Sequence, residues 1–189
     1  MSLIRTFIAI EISEDVRKRI AEVQEDLKKS GERISWTRPE NVHLTLKFLG
    51  EVEEKVILNI ADVLTTLGQE WRAFSFKVAG LGVFPNVNRP RVIWAGIENV
   101  HEEFAKLVSR LEEGMSQLGF KKEPRSFTPH LTIGRVKSVV NKTFVDKIIK
   151  YQFEGGETHA QEIVVMRSDL LPSGALYTPL RKIKLAYNE

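Results

Sequence analysis

Apolar residues in this 189-residue chain switch repeatedly between a two-residue and a 3.6-residue period. That alternation of strand-like and helix-like segments limits the possible folds more than any other feature. Residues 3–10 read as a buried strand, rich in β-branched and aromatic side chains. Ser13 then supplies an N-cap, Glu14 and Asp15 suit the first turn, and Val16, Ile20, Val23 and Leu27 recur at helical spacing until Ser30-Gly31. A strand over 42–49 ends at Gly50. The next helix carries Val56, Ile60, Val63, Leu64 and Leu67 on one face and stops at Gly68. Residues 71–78 alternate as a half-buried strand, 80–91 have the turn chemistry of a loop, and 91–97 resume as a strand. Asn99 and Glu102 make a capping-box-like start to a third helix, whose apolar face is Val100, Phe104, Leu107, Val108, Leu111, Met115 and Leu118. A strand over 128–136, a short helix over 144–149 and strands over 162–167 and 176–185 complete the chain. The last two are joined by a turn through Pro172-Ser173-Gly174.

Helices interleaved with strands that follow one another through short turns predict an α+β fold with mainly antiparallel pairing. No linker divides the chain, so residues 1–189 read as one domain in which strand–helix–strand units recur in both halves. Hydrophobic residues at 42% and charged residues at 28% describe a soluble globular protein and exclude disordered or collagen-like chains. No apolar stretch approaches the length of a membrane span. The first apolar run is too short for a secretory signal and closes at Glu11, which predicts a cytoplasmic protein. Without cysteine there is no disulfide framework, thiolate nucleophile or cysteine-bound zinc. Lys and Arg exceed Asp and Glu by 28 to 25, a mild bias that permits an anionic ligand, and no basic stripe stands out along the sequence.

Chemistry is concentrated in a duplicated motif. Val42-His43-Leu44-Thr45-Leu46 and Pro129-His130-Leu131-Thr132-Ile133 are two copies of His-Leu-Thr-aliphatic, both inside strand-like runs. Side chains two residues apart share one face of a strand, so each copy presents its His and Thr together while the aliphatic residues face the core. A single strand histidine is ordinarily a structural residue. Two of the chain's four histidines sharing this pattern is not coincidence, and His101 and His159, which lack the threonine, read as structural or exposed. Two imidazoles with ordinary pKa values near neutrality suit an acid–base pair, and threonine hydroxyls can donate to the oxygens of a phosphodiester. Zinc needs a further protein ligand that no local spacing supplies, so no metal or other cofactor is expected. No P-loop, dinucleotide fingerprint or nucleophile elbow occurs.

With these motifs the chain resembles the 2H phosphoesterases, and within them the RNA 2′,3′-cyclic phosphodiesterases, the 2′-5′ RNA ligase-like branch. The resemblance extends to Arg5-Thr6-Phe7-Ile8-Ala9-Ile10, the segment from Phe84-Pro85 to Trp94, Gly134-Arg135 and Gly174-Ala175-Leu176-Tyr177. It implies a bilobal fold of two mainly antiparallel sheets, backed by helices around a central groove. It also implies hydrolysis of RNA or nucleotide 2′,3′-cyclic phosphates to 2′-phosphomonoesters. Carried over, His43 is the proton donor to the departing 3′-oxygen and His130 the proton acceptor from water. Thr45 and Thr132 become phosphate-oxygen donors, and Arg135 a phosphate ligand. Strict alternation sends Arg135 away from the face of His130 and Thr132, unless a bulge or strand end at Gly134 turns it back. The same alternation puts Lys47 on the face of His43 and Thr45. Trp36, Phe84 and Tyr177 could stack on a nucleobase, although aromatics fill cores first. Two further functions stay open at this level: 2′-5′ RNA ligation by the same site, and a non-catalytic RNA- or nucleotide-binding module. A monomer without an obligate protein partner and without membrane attachment is the expected form.

Overall fold

The segments of period two assemble into one antiparallel sheet, seen in a computed structural model that describes residues 2–98, 102–124, 126–172 and 174–186, apart from the side chain of Glu103. Its strands are β1 (Leu3–Glu11), β2 (Ile34–Trp36), β3 (His43–Glu53), β4 (Phe74–Phe84), β5 (Val92–Glu98), β6 (His130–Val136), β7 (Glu154–Ala160), β8 (Glu162–Leu171) and β9 (Gly174–Lys184). The order is β7-β4-β5-β6-β3-β1-β8-β9, with β2 added along β6. The two expected sheets are thus two halves of one curled sheet, five strands with β2 and four. Among the described residues, their strands pair only at Leu44 of β3 and Leu131 of β6, the leucines of the two His-Leu-Thr motifs.

Four helices cover this sheet: α1 (Glu14–Lys28), α2 (Val56–Glu70), α3 (Glu102–Gln117) and α4 (Lys142–Lys150). Helix α1 leaves β1 in one half and lies against β7 in the other. Ser13 makes that crossing possible. Its hydroxyl caps the helix by accepting from the Val16 amide at 3.4 Å and donates to the Glu157 carbonyl at 2.9 Å. Its own amide donates to the buried Thr158 hydroxyl at 3.1 Å. Helix α4 covers β4, whereas α2 covers β9, β3 and β8 and packs on α3. The expected apolar faces fill one large core, in which Ile20, Leu27, Ile60, Leu64, Leu107, Leu111 and Met115 meet Ile8, Ile10, Leu44, Leu131 and Ile133. A small second cluster of Phe7, Ala9, Val164 and Met166 lies on the opposite face of β1 and β8. No helix is long and apolar enough to cross a membrane among the described residues.

Several boundaries differ from the sequence reading. The expected loop over 80–91 is strand as far as Phe84. Gly80 adopts φ +70° at a bulge in β4, and its amide donates to the Phe153 carbonyl at 2.9 Å. Gly82 stays in the ladder because the Trp94 ring lies on it; a Cβ there would come within 2.1 Å of that ring. Strand β3 likewise runs through Gly50, at φ +75°, to Glu53. Strands β2 and β7 were not expected. One has three residues, and the other is an edge strand interrupted by Gly155 and Gly156. Asn99, Val100, His101 and Ser173, on which the expected capping box, part of the third apolar face and the last turn fall, lie outside the described residues.

A candidate active site on the two central strands

The two motifs occupy the middle of the sheet and carry the same irregularity. Along β1, Ala9 pairs with Thr45 and Ile8 with Lys47, so Leu46 is an extra residue in β3. Along β5, Trp94 pairs with Thr132 and Ile93 with Gly134, so Ile133 is an extra residue in β6. Each bulge falls at the fourth position of its motif and reverses the alternation beyond it. Leu46 and Lys47 are consecutively buried, as are Ile133 and Gly134, and the next residues, Phe48 and Arg135, are exposed. The bulge therefore brings Arg135 onto the face of His130 and Thr132, which strict alternation denied it.

The same shift overturns the placement of Lys47. It turns into the core with its side chain 4% exposed, where Nζ pairs with Glu112 Oε2 at 2.7 Å and donates to the Lys121 carbonyl at 2.9 Å. Phe48 takes its place on the outer face, five residues after His43 as Arg135 is five after His130, with its ring 67% exposed. Sequence reasoning passed over Phe48 because it counted by twos. It also passed over Gln24, which interrupts the apolar stripe of α1 between Val23 and Leu27. Buried Gln24 donates through Nε2 to the carbonyls of Ile133 at 2.8 Å and Thr37 at 2.7 Å, so it pins the second bulge.

Each imidazole is held by the backbone two residues before it. His43 Nδ1 lies 2.7 Å from the Asn41 carbonyl, and His130 Nδ1 lies 2.7 Å from the Thr128 carbonyl. A carbonyl only accepts, so each Nδ1 carries the proton and each Nε2 is presented as the reactive nitrogen. Asn41 in turn is fixed by its side chain, whose Nδ2 donates to the Ala175 carbonyl at 2.7 Å. The antiparallel Leu44–Leu131 pair sets His43 on the side of Thr132 and Thr45 on the side of His130, a two-fold arrangement of four polar groups. Neither threonine hydroxyl has a hydrogen-bond partner among the described residues.

Aromatic rings wall both imidazoles. Phe7 stacks on His43 at 4.7 Å between centroids, and Tyr177 meets it edge-on at 5.1 Å. Phe84 meets His130 edge-on at 5.0 Å and leans on Trp94 at 5.2 Å. Tyr177 and Phe84 are thus committed to holding the histidines, and Trp36 packs against the large core beside Gly134. His159 is exposed, with Nδ1 3.1 Å from the Ser75 hydroxyl.

Burial among these rings pushes the His43 pKa down from 6.5 to about 4; the Asn41 carbonyl opposes the shift and the Arg17 charge adds to it. This carries a consequence for stability. Above pH 6.5 the imidazole is neutral in both folded and unfolded chains and contributes nothing. As pH falls from 6.5 toward 4, the unfolded chain takes up a proton that the folded chain refuses. Folding stability should therefore drop by about 3 kcal/mol across that window. Unfolding free energies of the wild type and of His43→Gln, measured from pH 7 to 4, should diverge by that amount, with the variant losing less.

Among the described residues no group of three His, Cys, Asp or Glu side chains is placed to hold a metal ion. The sequence model of the LigT-like phosphoesterases matches this chain over residues 10–94 and 96–177, each segment containing one motif. A Thermotoga maritima protein named RNA 2′,3′-cyclic phosphodiesterase is 41% identical over 177 residues, 93% of this chain and 92% of its own length. A Methanocaldococcus jannaschii protein of the same name is 39% identical over 180 residues, 94% of this chain and 99% of its own. The crystal structure of TT0787 from Thermus thermophilus superposes with a TM-score of 0.83 at 29% identity, covering 96% of this chain and 97% of that one. With both motifs inside the matched segments, and the fold and most of the length shared with these proteins, the chain belongs to the LigT-like phosphoesterase family.

Proposed function

We propose that this protein hydrolyses RNA 2′,3′-cyclic phosphodiester ends to 2′-phosphomonoesters, by acid–base catalysis between His43 and His130 that needs no metal. The names of its relatives support the reaction class. One observation carries the mechanism: two imidazoles, each with Nδ1 locked to the carbonyl two residues back, present Nε2 from strands joined at a single residue pair. An in-line displacement at phosphorus needs a base on one side and an acid on the other, and two-fold related histidines supply both. His130 Nε2 takes a proton from water as its oxygen bonds to phosphorus. The bond from phosphorus to the 3′-oxygen breaks, and His43 Nε2 protonates that oxygen. Thr45 and Thr132 donate to the two non-bridging oxygens, and Arg135 offsets the developing negative charge. The two halves of the sheet then act as the lobes of one catalytic unit.

His43 is neutral in the free protein at neutral pH, because burial holds its pKa near 4. The anionic phosphate reverses that preference by favouring the imidazolium, so the donor takes up its proton together with the substrate.

The deciding experiment incubates the protein, in EDTA, with a short RNA ending in a 2′,3′-cyclic phosphate and identifies the product. A 2′-phosphate end formed in chelator is the expected result. An untouched substrate, a 3′-phosphate product or a requirement for added metal would overturn the proposal.

A further inference from the structure

Many cations of this chain sit beside an acid, as Lys28 does with Glu25, Lys77 with Glu154, Arg110 with Glu70, Arg167 with Asp169 and Lys182 with Glu11. Others have none, and three of these come together: Arg33, Arg135 and Lys137 are exposed and, among the described residues, form no salt bridge. Arg33 is far from the other two in sequence, so no stripe is visible there. Pairing across β2 and β6 gathers them: Ser35 pairs with Arg135, and Lys137 donates its amide to the Arg33 carbonyl at 3.0 Å. Glu32, next to Arg33, has its Oε1 occupied by the Asn141 amide at 3.0 Å.

Alternation beyond the Ile133 bulge places Arg135 and Lys137 on the face of His130 and Thr132, with Arg33 beside Lys137 on that same face. From Thr132 to Lys137 the strand advances about 16 Å. A stacked nucleic-acid strand carries a phosphate about every 3.4 Å, so that length matches several nucleotides and exceeds one. Three like charges held together repel one another and stabilise nothing in the fold. They suit a polyanion.

We propose that this row is a track for the phosphate backbone of single-stranded RNA, holding the nucleotides upstream of the terminal phosphate that sits at the two histidines. The inference rests on the reading of that site as an RNA-end phosphodiesterase and adds how it selects an RNA over a free cyclic nucleotide.

The test compares the wild type with the double variant Arg33→Ala/Lys137→Ala, which leaves the four motif residues and Arg135 in place. Two substrates are used: 2′,3′-cyclic AMP and an RNA of about ten nucleotides with a 2′,3′-cyclic end. The variant should hydrolyse cyclic AMP at the wild-type rate, while its KM for the RNA rises on the order of 10-fold at 0.1 M salt. Binding of a fluorescent 3′-hydroxyl RNA of the same length, followed by anisotropy across salt concentrations, should lose about 1.4 from the slope of log K against log salt. Equal losses on both substrates, or an unchanged slope, would overturn the track. If the wild type hydrolyses neither substrate, the phosphodiesterase reading fails, and the anisotropy slope still decides whether the track binds RNA.

Discussion

Replacing either His43 or His130 with alanine should lower kcat for cyclic-phosphate hydrolysis by about 10²–10⁴-fold, the range of a lost general acid or base. KM should move far less, because the threonine hydroxyls and Arg135 keep their hold on the phosphate. The two losses should not multiply in the double variant, since one proton transfer without the other gains little. The variants should keep their fold: both rings lie at the surface of the sheet, and His43 is walled by Phe7 and Tyr177, which touch each other at 5.0 Å without it. Steady-state kinetics on 2′,3′-cyclic AMP, with thermal melts to confirm folding, check this. A wild-type rate from either alanine variant would end the two-histidine mechanism.

The second large effect lies in the core. Removing one partner of the Lys47–Glu112 pair, as in Glu112→Ala or Lys47→Ala, should destabilise the protein by about 3–5 kcal/mol, because the survivor becomes an uncompensated buried charge. The side chains are 4% and 16% exposed, so solvent screens the pair poorly. Glu112 Oε2 also accepts from the Glu123 amide at 3.2 Å, and Lys47 Nζ donates to the Lys121 carbonyl at 2.9 Å. The pair therefore ties β3 and α3 to the segment that runs toward His130, and its rupture should also raise the mobility of that segment. Replacing both partners, as in Lys47→Met/Glu112→Leu, should recover most of the stability, since an apolar pair leaves no charge stranded. Chemical denaturation of the three variants separates these outcomes; equal destabilisation by single and double variants would show that packing, not charge, dominates there.

The strands and helices with strong periodicity are legible in the sequence, because burial on one side is what writes the pattern. The Val16–Ile20–Val23–Leu27 stripe and the Ser13 cap appear in α1 as expected. The histidines and threonines are legible too, through their duplication. What escapes is whatever depends on a partner distant in the chain. Strand β7 offers Glu154-Gly155-Gly156-Glu157, which has no apolar face, and it is strand only because β4 supplies the ladder beside it. The bulges at Leu46 and Ile133 leave no mark on composition, yet they decide that Lys47 goes in and Arg135 comes out. A strand counted strictly by twos gives the wrong face for each of these residues.

Elsewhere in the sheet, neighbouring strands are laced over three or more residues, whereas β3 and β6 meet at Leu44 and Leu131 alone. In mechanical terms, the protein places its most compliant line where it places its chemistry. The gap between the two imidazoles can widen or narrow with one ladder pairing at stake, while α1, bonded through Ser13 to β7, and the shared core hold the halves together behind it. Substrate entry and product departure thus ask for flexing along a crease rather than unfolding of any strand.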